Sequence, residues 1–443
     1  MRYHRNLIPF YLSLWLILDA LITGCNYTPL HKDPFRKVSA VELKCDFNDL
    51  VRKIHANSFE PYLIHTKHQT DSIAATIKSK LDDSMTVVQF YRLIRPYVSA
   101  FNDAHLSLYL PDLYYKQFKK NGGKLFPFSV AIDSQRLFIK DNLSTDNSIK
   151  AGTEIASING IATKKLLGDM FSFISGDTYP YKVGAAEERF PLLLWRVYGF
   201  DNSFDIAFTN GKHATVKGIP DTKPDTTSVN DAFNFRIVKN VGIMKISELV
   251  YDKKKAFDQY LQNTFSQIKQ RNINALIIDI RGDGGGSTQL VRDLYNYISA
   301  TPYIFGTSET YMENGKVKTD YTIKPDTPAT VNNRFGGKVF LLIDPQTYST
   351  AFMMANTFQY YKMGIIVGDS SAEQMQISGE VNEIILPNTG LELYCPTTAF
   401  TLPNRGGAGK RLYPDHYIVP SLQDKLGKKD TVLNYCLKLA AGK

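Results

Sequence analysis

Residues 275–298 read ALIIDIRGDGGGSTQLVRDLYNYI, and no other segment constrains the fold as tightly. Residues 275–280 form a continuous apolar run broken only by Asp279, the pattern of a strand buried on both faces. Gly282, Gly284, Gly285 and Gly286 follow. Glycines at a strand-to-helix turn permit positive φ and leave backbone N–H groups free to hold an anion. From Ser287 the spacing of Leu290, Leu294 and Ile298 predicts a helix with Ser287 as its N-cap. The glycines do not spell a nucleotide site, because no Lys-Ser/Thr pair follows them and no GxGxxG spacing fits. A tight turn that needs glycine for geometry and an oxyanion site both remain open.

Residues 338–369 repeat the strand–turn–helix plan. VFLLI (residues 339–343) reads as a buried strand, and Asp344, Pro345 and Gln346 as a turn. The next helix has Ala351, Ala355 and Phe358 on one stripe, and GIIVG (residues 364–368) starts another strand. Ser349 therefore sits at a helix N-terminus just after a turn. There its hydroxyl is exposed and the helix dipole favours a developing negative charge. An ordinary N-cap is the commoner job for such a serine.

These segments carry a resemblance. ALIIDIRGDGGG resembles the D-x-R-x-N-x-G-G segment of the S41 serine peptidases, the tail-specific and tricorn-core-like proteases, with Asp283 where the family commonly has Asn. TYSTAFMMA resembles their nucleophile segment, with Ser349 at the nucleophile position. FNDAHLSL (residues 101–108) is similar to the D-G-H-T segment of the branch that uses a histidine base. GTEIASING (residues 152–160) resembles the core of their PDZ-like domains, and LPNRGGAGKRLYPD (residues 402–415) their C-terminal P-N…Y-P-D segment. The five matches occur in the family's order. The resemblance implies an α/β fold: a crotonase/ClpP-like core of βαβ units, preceded by an N-terminal helical domain and a PDZ-like domain.

At 443 residues the chain has room for about three domains. Its net charge of +9 comes from scattered lysines, which reads as solubility and disfavours nucleic-acid binding. Arg2 and Arg5 precede a mostly apolar segment, residues 7–24, that Pro9 and Asp19 spoil as a membrane span. It ends in Ile22-Thr23-Gly24-Cys25, which resembles a bacterial lipobox. The resemblance implies cleavage before Cys25, lipidation of that thiol, and anchoring in a bacterial cell envelope, periplasmic or surface-exposed. An ordinary signal peptide with a chance cysteine is the alternative. With Cys25 lipidated, Cys45, Cys395 and Cys436 are an odd number, which disfavours a disulfide framework. No CxxC, no HEXXH and no His/Cys/Asp cluster is present, so no metal or other cofactor is expected.

In order, residues 1–24 read as a lipoprotein signal peptide and 25–42 as a tether. Residues 43–118 read as a helical domain, from the spacing of Leu50, Val51 and Ile54, of Ile73, Ile77 and Leu81, and of Phe90, Leu93 and Tyr97. Residues 122–220 read as a mostly stranded, PDZ-like domain with a helix over 162–174. Such a domain offers a sheet edge to an extended peptide. Residues 228–443 read as the catalytic core, with an Asn314-Gly315 hairpin turn near the cleft.

Serine catalysis needs a nucleophile, a base and oxyanion donors. Ser349 is the nucleophile candidate, and backbone N–H groups of Gly284 or Gly285 and of Thr350 are the oxyanion candidates. The Ser/Lys branch of the family places a lysine some two dozen residues after the serine. Here SSAEQMQISGE (residues 370–380) holds none, and Gln374 falls near that position. His105 is the better base, since an imidazole accepts a proton at pH 7. The family's orienting carboxylate position aligns with Ala408. Asp415, Asp103 and Glu373 are the candidates for a third member. The expected function is a serine-type endopeptidase acting on peptides or proteins. The alternative is a weak or inactive S41 relative that binds peptides as an envelope lipoprotein, because loss of the orienting acid costs about four orders of magnitude in kcat.

Overall fold

The computed structural model describes residues 36–57, 66–222, 228–313, 316–404 and 411–442. Cys25, the Asn314-Gly315 turn and Ala408 lie outside the described residues.

The N-terminal region is helical, as its spacing predicts. α1 (Ala40–Asn57), α2 (Lys67–Lys78) and α3 (Val87–Ser99) bury Leu43, Phe47, Leu50, Ile77, Phe90 and Ile94 in one core. Thr66 and Thr86 begin α2 and α3 with capping boxes closed by Gln69 and Gln89, so each helix start satisfies its own backbone donors. After α3 the chain turns through Asn102, at φ +54°, and passes Asp103 and His105. It then enters β1 (Ser107–Tyr109).

The middle region is a largely antiparallel sheet. Its strands are β2 (Phe128–Asp133), β3 (Arg136–Asn142), β4 (Glu154–Ile158), β5 (Ser203–Phe208) and β6 (His213–Lys217), paired in that order. The expected helix appears as α4 (Thr163–Phe171). A second helix, α5 (Tyr179–Tyr198), departs from the mostly stranded reading. Thr178 caps it, Pro180 lies in its first turn where no N–H is needed, and Pro191 follows a kink at Arg189. The two prolines hide the helix from a periodicity argument.

The core region holds a six-stranded sheet. β7 (Phe233–Val238) pairs antiparallel with β8 (Val241–Ile246), and β8 then runs parallel to β9 (Ala275–Asp279). α6 (Lys254–Gln270) connects β8 to β9, and α7 (Thr288–Ile298) follows the glycine turn. β10 (Ser308–Glu313) and β11 (Lys316–Asp320) form an antiparallel pair. The main sheet resumes with β12 (Lys338–Ile343), α8 (Thr350–Tyr360) and β13 (Ile365–Gly368). A second sheet is built from β10, β11, β14 (Gln376–Ile385) and β15 (Glu392–Thr401), with β1 joined to β15. The short β16 (His416–Tyr417) closes the main sheet beside β13.

The unbroken apolar runs in β9 and β12 follow from burial on both faces. Leu276, Ile278 and Leu341 pack under α6, α7 and α8. Ile277, Phe340 and Leu342 pack against Val432, Leu433 and Cys436 of the C-terminal helix α9 (Thr431–Ala440). Cys395 and Cys436 carry free, buried thiols.

Two features of this architecture position the site. In register, Asp279 of β9 lies opposite Leu342 of β12, so the two strand-to-helix turns emerge side by side. Pairing of Ser107 in β1 with Tyr394 in β15 brings the His105 loop to the same end.

Candidate active site

Ser349 occupies the junction between β12 and α8. The preceding turn is held by Asp344, whose Oδ1 accepts the N–H groups of Gln346 and Gly282, each at 3.0 Å. The Thr347 hydroxyl donates to the Ile280 carbonyl at 3.2 Å. The serine turn and the glycine turn are thus tied into one body. Ser349 itself has φ +53° and ψ −125°, a conformation rarely adopted by a residue with a side chain. Such a backbone costs about 1–3 kcal/mol and persists only where its surroundings enforce it. Although Ser349 stands at the N-cap position, its side chain makes no capping hydrogen bond. The ordinary capping role is therefore not what this serine does, and its hydroxyl stays free at the head of α8. Its backbone N–H donates to Oε2 of Glu373.

The glycine turn is more selective than the sequence suggested. Gly285 has φ +97°, and a Cβ there would lie 2.7 Å from the Thr350 nitrogen and 2.8 Å from Ser349 Cβ. Gly284 has no positive φ, and a Cβ on it would meet nothing within 4 Å. The turn thus requires glycine at Gly285 and not at Gly284. The Gly285 N–H already donates to Asp283 Oδ1 at 2.8 Å. Gly286 was not singled out by sequence. It has φ +139°, lines the cleft beside Ser349 and Thr350, and accepts the Thr350 hydroxyl on its carbonyl at 2.7 Å. The N–H groups of Gly286 and Thr350 have no hydrogen-bond acceptor among the described residues. Consecutive glycines look alike in sequence, and only the path of the turn separates their roles.

Asp283 is fully buried, and its Oδ2 has no partner among the described residues. Burial pushes its carboxyl up to about 7, against the weaker pull of the Gly285 N–H.

His105 is held at Nδ1. Ser378 Oγ lies 3.1 Å from that nitrogen and Asp103 Oδ1 lies 3.4 Å from it. The Ser378 hydroxyl also donates to Asp103 Oδ2 at 2.7 Å, and the His105 N–H donates to Asp103 Oδ1 at 2.8 Å. Glu373 Oε1 is 4.0 Å from Nδ1. The other ring nitrogen, Nε2, is buried with no partner among the described residues. The imidazole packs on the Tyr348 ring, with centroids 4.9 Å apart. Tyr348 donates its hydroxyl to Asp177 Oδ1 at 2.9 Å and accepts the Ala104 N–H at 3.2 Å, which fixes the loop that carries His105. His105 and Ser349 line the same cleft of about 530 Å³ without a direct hydrogen bond between their side chains. Such contacts commonly tighten when substrate binds.

The three carboxyls around this imidazole differ. Burial raises Asp103, but the hydrogen bond and charge of His105 outweigh it and hold Asp103 below its ordinary value. Burial, with Asp103 nearby, pushes Asp177 up to about 7. Burial, with Asp177 nearby, pushes Glu373 well above the usual carboxylate range. Asp103 is thus the ionised member beside the ring. Asp415 is placed elsewhere, accepting the Ile366 N–H at 2.8 Å. Ser378 was missed by sequence because an isolated serine in a strand carries no signal. Only the pairing of β14 with β15 brings it to the histidine.

Residues 240–418 match the model of peptidase family S41. This region is an S41 peptidase domain. The solved structures agree on the fold around it. Mature CPAF complexed with lactacystin superposes with a TM-score of 0.64 at 14% identity, over 90% of this chain and 98% of that chain. A CPAF mutant gives 0.62 at 12% identity, over 91% and 98%. A putative peptidase from Parabacteroides merdae gives 0.50 at 12% identity, over 91% and 97%. No curated protein matches the chain in sequence. The S41 domain contributes Ser349 and Ser378 to the cleft, while His105 arrives from the helical region before it.

Proposed function

We propose that the protein is a serine-type endopeptidase in which Ser349 is the nucleophile and His105 the general base. The observation that carries this reading is the pairing of two free groups in one cleft. Ser349 holds a strained backbone and an uncapping hydroxyl, and His105 presents a buried Nε2 with no partner among the described residues.

In the proposed reaction Nε2 takes the Ser349 proton as Oγ attacks the peptide carbonyl carbon. The oxyanion that forms is met by the N–H groups of Gly286 and Thr350 at the head of α8, where the helix dipole also favours negative charge. His105 then returns the proton to the leaving amine, and water hydrolyses the acyl-enzyme by the same base. Asp103 and Ser378 hold Nδ1, which fixes the tautomer that leaves Nε2 basic. Glu373, with its carboxyl raised by burial, secures the Ser349 backbone rather than orienting the ring.

We propose further that residues 122–220 present a peptide-docking sheet edge and that Cys25 anchors the protein in a bacterial cell envelope. The support for these is the GTEIASING and lipobox-like segments. The test of the catalytic reading is hydrolysis of a denatured protein substrate by the wild type and by Ser349→Ala. Turnover in the wild type and at least a thousandfold loss in the variant are expected. Equal turnover in both would remove Ser349 from the chemistry.

A further inference from the structure

Arg95 lies on α3, only 5% exposed, at the seam between α3 and α5. Its Nη1 donates to Ser175 Oγ at 3.1 Å, the guanidinium also bonds the Tyr91 hydroxyl, and it forms no ion pair among the described residues. A buried guanidinium stays protonated, so an unpaired one carries a large desolvation cost. The neighbouring Arg92 shows what a purely structural arginine does here. It donates to the carbonyls of Arg196 and Trp195, at 2.8 and 3.1 Å, and so caps α5. Arg95 instead bonds only hydroxyls, of Ser175 and Tyr91, and reaches no backbone carbonyl or carboxylate among the described residues.

Arg95 faces a small cavity of about 90 Å³ that Arg189 and Arg196 also line. That volume lies between the roughly 30 Å³ share of one water and the roughly 150 Å³ of a benzene-binding cavity. Lys182, donating to Asn102 Oδ1 at 2.7 Å, adds a nearby cation. The acids are elsewhere. Asp112 and Glu392 line the adjoining cavity of about 450 Å³, Glu188 lies 3.8 Å from exposed Arg189, and Asp177 acts on Lys182. The phenols of Tyr91 and Tyr109 complete the wall.

We propose that this cavity binds a small oxyanion, a carboxylate or a phosphate, with Arg95 as its principal ligand and Arg189 and Arg196 at its mouth. Arginine suits this role because its fork of donors matches both groups. The site is separate from the Ser349 cleft and shares no lining residue with it. Ala104, the residue before His105, lines both the small cavity and the adjoining one, which His105 also lines. An occupied cavity therefore steadies the loop that carries the base.

The experiment is thermal unfolding of the full chain in sodium phosphate and in sodium acetate, against sodium chloride at matched ionic strength. A ligand that binds only the native state raises the Tm. A rise of about 3 °C at saturating phosphate is expected for the wild type and for Ser349→Ala, so the result is independent of the catalytic reading. Arg95→Met should lose that rise, and half-buried Arg196→Ala should reduce it. Otherwise matched peptides differing in Glu against Gln identify the source. Competition with phosphate by the Glu peptide alone assigns the site to a peptide carboxylate, and competition by neither assigns it to a free anion. A phosphate effect no larger than that of chloride, or one that survives in both arginine variants, would overturn the proposal.

Discussion

Ser378 Oγ lies 3.1 Å from Nδ1 of His105, although the two residues belong to different sheet and loop elements. The same hydroxyl donates to Asp103, so one serine links the imidazole to an ionised carboxylate. Asp103→Asn should lower kcat by up to about four orders of magnitude, as loss of an orienting acid does. Ser378→Ala should cost about tenfold, since Asp103 Oδ1 remains 3.4 Å from the ring. Steady-state kinetics on a peptide substrate measures both. A four-decade loss in Glu373→Gln, with Asp103→Asn near wild type, would transfer the orienting role to Glu373.

The glycine turn separates into tolerant and intolerant positions. Gly285→Ala should destabilise by about 1–3 kcal/mol and abolish turnover, because its Cβ would press on Ser349 and Thr350. Gly286→Ala should behave similarly, with its Cβ 2.3 Å from the Leu249 carbonyl oxygen. Gly284→Ala points into open space and should stay within about 0.5 kcal/mol. Urea unfolding with parallel activity assays ranks the three. Equal losses at all three positions would contradict the assignment.

Asp283 gives a pH signature. Its folded carboxyl titrates at about 7 against an ordinary value of 3.8. The folded state therefore binds this proton more tightly than the unfolded state. The associated stability is present below about pH 4 and is lost as pH rises through about 7. Asp283→Asn should remove that loss and gain on the wild type between pH 5 and 8, on the order of a few kcal/mol. Denaturation midpoints across this range provide the measurement. Parallel curves for the two proteins would show that Asp283 is not a buried, raised carboxyl.

Much of this was legible in the sequence because burial on both faces leaves a simple mark. The runs in β9 and β12 and the glycine turn between strand and helix are local patterns, and they placed Ser349 and the glycine turn at one end of the sheet. His105 was legible through its segment. The partners of the ring were not, because Ser378 reaches it only through the pairing of β14 with β15, and Asp103 was one of three carboxyls that sequence could not rank. Asp415 drops behind the others because its carboxylate holds the Ile366 N–H. α5 was hidden by Pro180 and Pro191, which a helix tolerates only in its first turn or at a kink.

Cys25 poses a choice that chemistry can decide. The chain has four cysteines, of which Cys395 and Cys436 are free, buried thiols. A lipid thioether on Cys25 would leave no disulfide possible through that sulfur. If the anchor forms, metabolic labelling with a fatty acid marks the wild type and not Cys25→Ala, and the mature protein yields three titratable thiols. Two thiols and no label would instead place Cys25 in a disulfide.

The pairing of Ser349 with His105 is tested most directly by a fluorophosphonate probe followed by mass spectrometry of the labelled peptide. The reagent reports an activated serine, with no need for a known substrate. The wild type should be labelled on Ser349, Ser349→Ala should not be labelled, and His105→Ala should lose nearly all labelling while remaining folded. Undiminished labelling of Ser349 in His105→Ala, or no labelling of the wild type, would contradict the pairing.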